Sequence, residues 1–291
     1  VIVDNTYKAI REILGEEPIQ VHHLDSGNND VLRVKTKSGS YVLKYYKKNR
    51  NRAYEREVGM RECLRKYSRI RYPGITGSAV IGENRCVLME DVAGKSLIEN
   101  WNQDCTRASK EMNLLGRMLG SIHEIPVVEA KHFLEREEVL FAENYFLWMM
   151  DTIAPYLRAT YQTSLLRKCY EVIMSTPLDE VMIHADFGPH QVIVNSQGQW
   201  ILMDFEYAAL GAFADDLAGT EVRLEQMGCS NIEGFLGGYE SVRGDISEYE
   251  SVRSAYKAYN LLAILTYGLS NRREEPSTCE CERLSCLLES L

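Results

Sequence analysis

His184-Ala185-Asp186-Phe187-Gly188-Pro189-His190-Gln191-Val192-Ile193-Val194, followed by Ile201-Leu202-Met203-Asp204-Phe205-Glu206, is the stretch that decides how this sequence reads. It runs as a polar loop, a strand, a turn at Ser196-Gln197-Gly198, a second strand and then acidic residues. The alternation of Val192 and Val194 sets the register of the first strand and leaves Gln191 just before it. A hairpin of this length brings Gln191 and Asp204 together at the mouth of a cleft, with Asp186 projecting from the loop before it. Transfer of a phosphoryl group asks for these residue types. A carboxylate orients the attacking hydroxyl and accepts its proton, and hard oxygen ligands hold Mg²⁺ against the phosphates. Mg²⁺ keeps several waters, so two protein ligands suffice. Taken singly, Asp186 also reads as a helix cap, and Gln191 and Asp204 as turn or surface residues.

On the N-terminal side the pattern is that of a small sheet. Tyr7 to Leu14 carries Ile10, Ile13 and Leu14 at helical spacing and stops at Gly15. A strand around Ile19 to His23 precedes Val31–Val34 and Ser40–Tyr45, two β-rich runs on either side of a Lys37-Ser38-Gly39 turn. Between the first two strands, Asp25-Ser26-Gly27-Asn28-Asn29-Asp30 is turn chemistry that leaves backbone N–H groups free; it reads equally as a plain turn or a phosphate cradle. Tyr54 to Tyr67 is helical, with Val58, Met60, Cys63 and Leu64 inward. Ala79–Ile81 and Cys86–Met89 form a hairpin across Gly82-Glu83-Asn84, and Glu90 to Gly94 breaks the pattern.

Beyond that break the chain turns helical: Ser109–Ile125, Tyr145–Leu157, Ser164–Ser175, and most of the chain beyond Asp215. Loops are expected around Gly237-Gly238 and from Arg272 to Ser277. The expected fold is therefore α+β in two lobes. Residues 1–91 form a small antiparallel sheet with one helix, and residues 92–291 a larger, mostly helical lobe.

The spacing of His184-x-Asp186 and Asp204-Phe205-Glu206 resembles the aminoglycoside phosphotransferase and choline kinase family, whose members share a protein-kinase-like fold. The likeness extends along nearly the whole chain. Tyr41-Val42-Leu43-Lys44 resembles the third strand with its nucleotide-binding lysine, and Glu57 the helix glutamate that pairs with it. Val87 to Gly94 resembles the hinge, Leu114 to His123 the helix entering the large lobe, and Asp216-Leu217-Ala218 the acidic motif that supports the catalytic loop.

The resemblance implies an enzyme that moves the γ-phosphate of ATP or GTP to a hydroxyl of a small molecule such as an aminoglycoside antibiotic. It implies Asp186 as base, Mg²⁺ on Gln191 and Asp204, and phosphates on Lys44 oriented by Glu57. Ser26, Gly27 and Asn28 would cover the phosphates, and backbone near Glu90 and Val92 would meet the nucleotide base. His184 would be a structural hydrogen-bonder. Gln191 departs from the asparagine usual in the family. The alternatives are a choline-, ethanolamine- or sugar-type kinase of the same fold, with Tyr145, Phe146 and Trp148 as a candidate cage, or a non-catalytic nucleotide-binding pseudokinase. Acidic residues that could meet an amino sugar are Glu143, Asp151 and Glu221.

Composition excludes several classes. The 291 residues are 45% hydrophobic and carry a net charge of −9, with a pI near 5.3. That acidity is compatible with a cationic acceptor and disfavours nucleic acid, which needs a basic footprint. No apolar run approaches the ~18 residues of a membrane span. Eight cysteines without a paired framework fit a reducing cytoplasm. Nothing in the sequence names a protein partner.

Overall fold

Eleven α-helices and ten strands are present among the described residues of the computed structural model, which are 2–24, 29–47, 50–101, 108–134, 143–157, 161–229, 232–272 and 274–291. In chain order they are α1 (Ile2–Leu14), β1 (Gln20–Leu24), β2 (Asp30–Lys35), β3 (Ser40–Tyr46), α2 (Asn51–Tyr67), β4 (Ile75–Ile81), β5 (Asn84–Glu90), β6 (Gly94–Ser96), α3 (Leu97–Trp101), α4 (Ala108–His123) and α5 (Val127–Ala130). Then come α6 (Glu143–Ile153), α7 (Tyr161–Ser175), β7 (Glu180–Ile183), β8 (Val192–Asn195), β9 (Trp200–Leu202), β10 (Ala209–Ala212), α8 (Phe213–Gln226), α9 (Glu233–Arg243), α10 (Ser247–Tyr267) and α11 (Thr278–Glu289). The chain divides into two compact units: Val1–Asn100 with His190–Tyr207, and Trp101–Pro189 with Ala208–Leu291.

In the first unit an antiparallel sheet runs β1-β2-β3-β5-β4. Strand alternation gives it two inner faces. Leu32, Val34, Leu43, Tyr45, Cys86 and Leu88 pack with Ala9 and Ile10 of α1. Tyr46, Val87 and Met89 pack on the other face with Ala53, Tyr54 and Val58 of α2. Helix α1 starts five residues earlier than its apolar spacing suggests, and Thr6 on the added turn is fully buried. The β8–β9 hairpin belongs to this unit and pairs with β6 through Ser96↔Ile193.

The second unit is helical around one small ladder, β7 with β10. Helix α10 lies at its centre, in contact with α6, α7, α8 and α11. The loop expected at Gly237-Gly238 is instead the middle of α9. Glycine is there for close approach rather than for a turn. A Cβ on Gly238 would overlap the Asn113 carbonyl of α4, and one on Gly116 would overlap the Phe235 carbonyl of α9. Gly116→Ala should therefore push the two helices apart and lower stability by about 1–3 kcal/mol in chemical denaturation. Gly237→Ala meets nothing within 4 Å and should raise stability by about 0.5–1 kcal/mol, because glycine is a poor helix former. Equal losses in both would mean the packing argument is wrong.

Six cysteines are free thiols, namely Cys63, Cys86, Cys169, Cys279, Cys281 and Cys286. Cys229 is disulfide-bonded, which corrects the expectation of a chain without a paired framework. No described helix is long and apolar enough to cross a membrane.

Candidate active site

Alternation along β3 puts Leu43 and Tyr45 on one face of the sheet and Lys44 and Tyr46 on the other, under α2. Lys44 is 6% exposed. A lysine so buried needs compensation, since desolvation of an ammonium costs several kcal/mol. Three carboxylates supply it: Nζ lies 3.3 Å from Glu57 Oε2, 2.6 Å from Asp204 Oδ1 and 3.0 Å from Glu206 Oε2. Glu57 reaches it from α2, and the other two from the segment just after β9.

The carboxylates are held in turn. Arg61, one helical turn on from Glu57, donates to Oε1 through Nε at 3.2 Å and Nη2 at 2.7 Å. The Phe205 backbone N–H donates to Glu57 Oε2 at 3.2 Å. Arg50 pairs with Glu206 at 3.1 Å, and the Asn29 amide donates to the same carboxylate. Lys44, Arg50 and Arg61 thus face Glu57, Asp204 and Glu206, three charges against three. Burial pushes the Glu57 carboxyl up, but Lys44 and Arg61 outweigh it and hold it down at about 2. Burial pushes Asp204 up, helped by Glu206 and Glu57 and opposed by Lys44. Burial also favours a neutral Lys44, but the carboxylates prevail and raise it well above the usual lysine range.

The β8–β9 hairpin brings Gln191 and Asp204 close along the backbone. The Met203 N–H donates to the Gln191 carbonyl at 2.8 Å, so the two candidates end adjoining strands. Asp204 sits at φ 55°, a left-handed conformation that aspartate tolerates better than most residues. Its side chain is 35% exposed, against 1% for Glu57 and 5% for Glu206. Asp204 is therefore the face of the cluster that an incoming ligand can reach. Ser26, Gly27 and Asn28 lie outside the described residues. Glu90 ends β5 and its N–H donates to the Gly74 carbonyl at 2.9 Å; Val92 is buried. Sequence reasoning gave no role to Glu206 or Arg50, and took Asn29 only as part of the turn that could cradle phosphate. Glu206 was at least visible, two residues after Asp204.

In the second unit, Asp186 lies just beyond β7. Its loop is fixed by Asp216 of α8, which accepts the backbone N–H groups of His184 at 2.7 Å and Ala185 at 2.8 Å. Ala185 is held at φ 61°, a conformation costly for a residue with a Cβ, and the paired Asp216 oxygens offset that cost. His123 Nε2 lies 3.1 Å from Asp216 Oδ2, and His123 Nδ1 2.8 Å from the Tyr239 hydroxyl. Burial lowers the His123 pKa against the pull of Asp216. Asp186 itself pairs with Arg223 of the same helix, a partner the sequence did not announce. Glu221 is not open to an amino sugar. It is fully buried, takes the Tyr249 hydroxyl at 2.7 Å, and pairs with Arg253 at 2.8 Å and Lys257 at 3.4 Å. Asp151 is exposed on α6, where the Tyr145 and Trp148 rings lie tilted to each other with centroids 5.4 Å apart.

The sequence profile of the phosphotransferase enzyme family (APH) matches residues 20–249. The chain belongs to that family. By that membership it is a small-molecule kinase. No curated protein sequence matches it significantly. Among solved structures, the GDP and kanamycin complex of APH(2")-IIia aligns over 100% of this chain and 98% of its own, with TM-score 0.71 and 17% identity. LicA in complex with AMP aligns over 99% and 98%, at 0.70 and 18%. Macrolide 2'-phosphotransferase type I aligns over 98% and 96%, at 0.68 and 14%. At such identities these likenesses establish the fold, which is the protein-kinase-like one expected from the sequence.

Proposed function

We propose that this kinase moves the γ-phosphate of ATP or GTP to a hydroxyl of a small molecule, an aminoglycoside-type antibiotic being the first candidate. The observation that carries the reading is one buried ammonium, Lys44, gripped by Glu57 and Asp204 together. A cation with this support is poised to exchange a carboxylate for phosphate oxygens while Glu57 keeps it aimed. Asp204 and Gln191 would hold Mg²⁺. The donor set fits: a reachable carboxylate and an amide oxygen on adjoining strand ends are hard ligands, and the ion's waters fill the rest. Bound there, the ion would neutralise charge on the phosphates. Asp186 would orient the acceptor hydroxyl and take its proton, its loop fixed by Asp216.

The solved neighbours with GDP, AMP and kanamycin support nucleotide use and a small polyol acceptor. Dependence on a nucleoside triphosphate fits the cytoplasm, where that supply is. A second reading has its own observation. On α6 the exposed Trp148, beside the half-buried Tyr145, would suit a quaternary ammonium acceptor of choline type through cation–π attraction.

Calorimetric titration with ATP and GTP, first with Mg²⁺ and then with EDTA, tests the nucleotide half. Binding that needs Mg²⁺ is expected, and Lys44→Met should weaken it by at least about tenfold, the loss of a charge-assisted contact. An acceptor screen beginning with aminoglycosides and choline then separates the two readings. Binding indifferent to the metal would remove Gln191 and Asp204 as its ligands and favour a pseudokinase.

A further inference from the structure

Arg61 does more than hold Glu57. It lies on α2 and is 3% exposed. All three of its side-chain nitrogens are engaged. Nε and Nη2 donate to Glu57 Oε1, Nη2 also lies 3.0 Å from Met89 Sδ, and Nη1 donates to the Pro73 carbonyl. The centre of its guanidinium is 5.4 Å from the centroid of the Phe205 ring and 5.7 Å from that of Tyr72. Those two rings meet edge-on at 6.3 Å. Burying a guanidinium is costly, and apolar residues of similar volume often serve stability as well. What this one holds is the residue next to Asp204.

Phe205 is held twice. Its backbone N–H donates to Glu57 Oε2 at 3.2 Å, and its fully buried ring lies against Arg61 and Tyr72. On the other side of Asp204, the Met203 N–H donates to the Gln191 carbonyl at 2.8 Å. Asp204 thus sits between two anchored neighbours, at φ 55°. A left-handed residue with a Cβ is kept there by its surroundings rather than by its own preference. The Met203 anchor is a backbone bond that extends the β8–β9 pairing. The Phe205 anchor is made by side chains, and Arg61 takes part in both of its halves. It fixes the Glu57 carboxylate that accepts the N–H, and it faces the ring.

We propose that Arg61 is a positioning residue for Asp204: through the Phe205 ring and through Glu57 it keeps Asp204 in the left-handed conformation that leaves its carboxylate open to a nucleotide-bound Mg²⁺. The inference rests on the metal reading above. Lys44 is aimed from the same point, because the Glu57 carboxylate that pairs with it is the one Arg61 grips. One buried cation therefore sets both the ammonium that would meet the phosphates and the carboxylate that would meet the metal. A lysine in its place could still pair with Glu57, but it has no planar group to lay over Phe205.

The test measures, by calorimetry, the Mg²⁺ concentration that half-saturates binding of whichever of ATP and GTP wild type binds more tightly. It is read in wild type, Arg61→Lys, Phe205→Leu and the double variant. Each single substitution should raise that concentration by about 3–10-fold, the worth of one buried cation–π contact. The double variant should need no more than the worse single, because both remove the same contact. Affinity for the matching nucleoside, adenosine or guanosine, should be unchanged. Gly116→Ala, destabilised in the second unit, should match wild type in its Mg²⁺ requirement. A wild-type requirement in either single variant would overturn the inference, and so would additive effects in the double or an equal loss of nucleoside affinity. An equal rise in Gly116→Ala would overturn it too, since the effect would then be one of general stability. Phe205→Leu exchanges one apolar side chain for another and carries the test alone if Arg61→Lys fails to fold. If wild type binds no nucleotide, or binds it without regard to Mg²⁺, the reading above falls and takes this inference with it; if wild type needs Mg²⁺ and the variants need no more, only this inference falls.

Discussion

Asp186→Asn should reduce phosphoryl transfer by about 10²–10⁴-fold, the usual contribution of a positioned general base, and leave nucleotide affinity within about twofold. The substitution is nearly isosteric. The amide oxygen can still accept from Arg223, so the ion pair becomes a hydrogen bond and the loop keeps its anchor. That anchor does not depend on Asp186, since Asp216 holds the backbone at His184 and Ala185. What is lost is the capacity to take a proton. Turnover with the acceptor found by the screen, read beside a nucleotide titration, separates chemistry from binding. Turnover within tenfold of wild type would remove Asp186 from the base role. Loss of binding and turnover together would instead point to a damaged fold, and circular dichroism would register it.

The fold was legible because its elements are written in local periodicity. The alternation at Val31–Val34 and Ser40–Tyr45 became β2 and β3 with the Lys37-Ser38-Gly39 turn between them, and Ser109–Ile125 became α4 with its apolar face buried. The failures came where a residue type has two uses. Gly237-Gly238 reads as a break, because in isolation glycine frees the backbone. In α9 the same lack of a side chain lets α4 approach, a reason that exists only once the two helices are packed.

The site divided the same way. Gln191 and Asp204 could be placed by the length of the hairpin, and Lys44 and Glu57 by the family resemblance; the first unit brings Lys44, Glu57 and Asp204 into one cluster, with the Gln191 backbone beside Asp204. Glu206 and Arg50 were not given roles, and Asn29 was read only as turn backbone, because the meaning of the three side chains is mutual. A glutamate beside a strand is usually solvated, until an arginine and an asparagine from distant segments close on it. Glu221 shows the opposite error. A helix carboxylate is normally a surface group, but this one is buried against Tyr249, Arg253 and Lys257 and spends its charge inside the fold.

Asp215→Asn should make the protein more stable than wild type at pH 8 by about 4 kcal/mol and leave it about equal at pH 4, the worth of three decades of proton affinity. Asp215 is 6% exposed in the first turn of α8, and its carboxylate oxygen accepts from Asn260 Nδ2 at 2.8 Å. Burial raises its pKa from the ordinary 3.8 to about 7; the neighbouring Asp216 adds to the rise, and Asn260 and Arg223 oppose it. Between about pH 4 and pH 7 the native state therefore holds a proton that the unfolded chain has already released. Stability falls as pH rises through that window and stays lower above it. Asparagine presents the same acceptor to Asn260 and never ionises. Wild type alone does not isolate this effect, because His123 acts in the opposite sense. Kept neutral by burial, it destabilises the fold below about pH 6.5, where the unfolded chain's histidine is charged. His123 is common to both proteins, so it cancels in their difference. Urea denaturation of the pair from pH 4 to pH 8 gives that difference directly. A gap that widens with pH assigns the proton to Asp215; a gap independent of pH would mean that the carboxyl is ionised in the native state throughout, held so by Arg223 and Asn260.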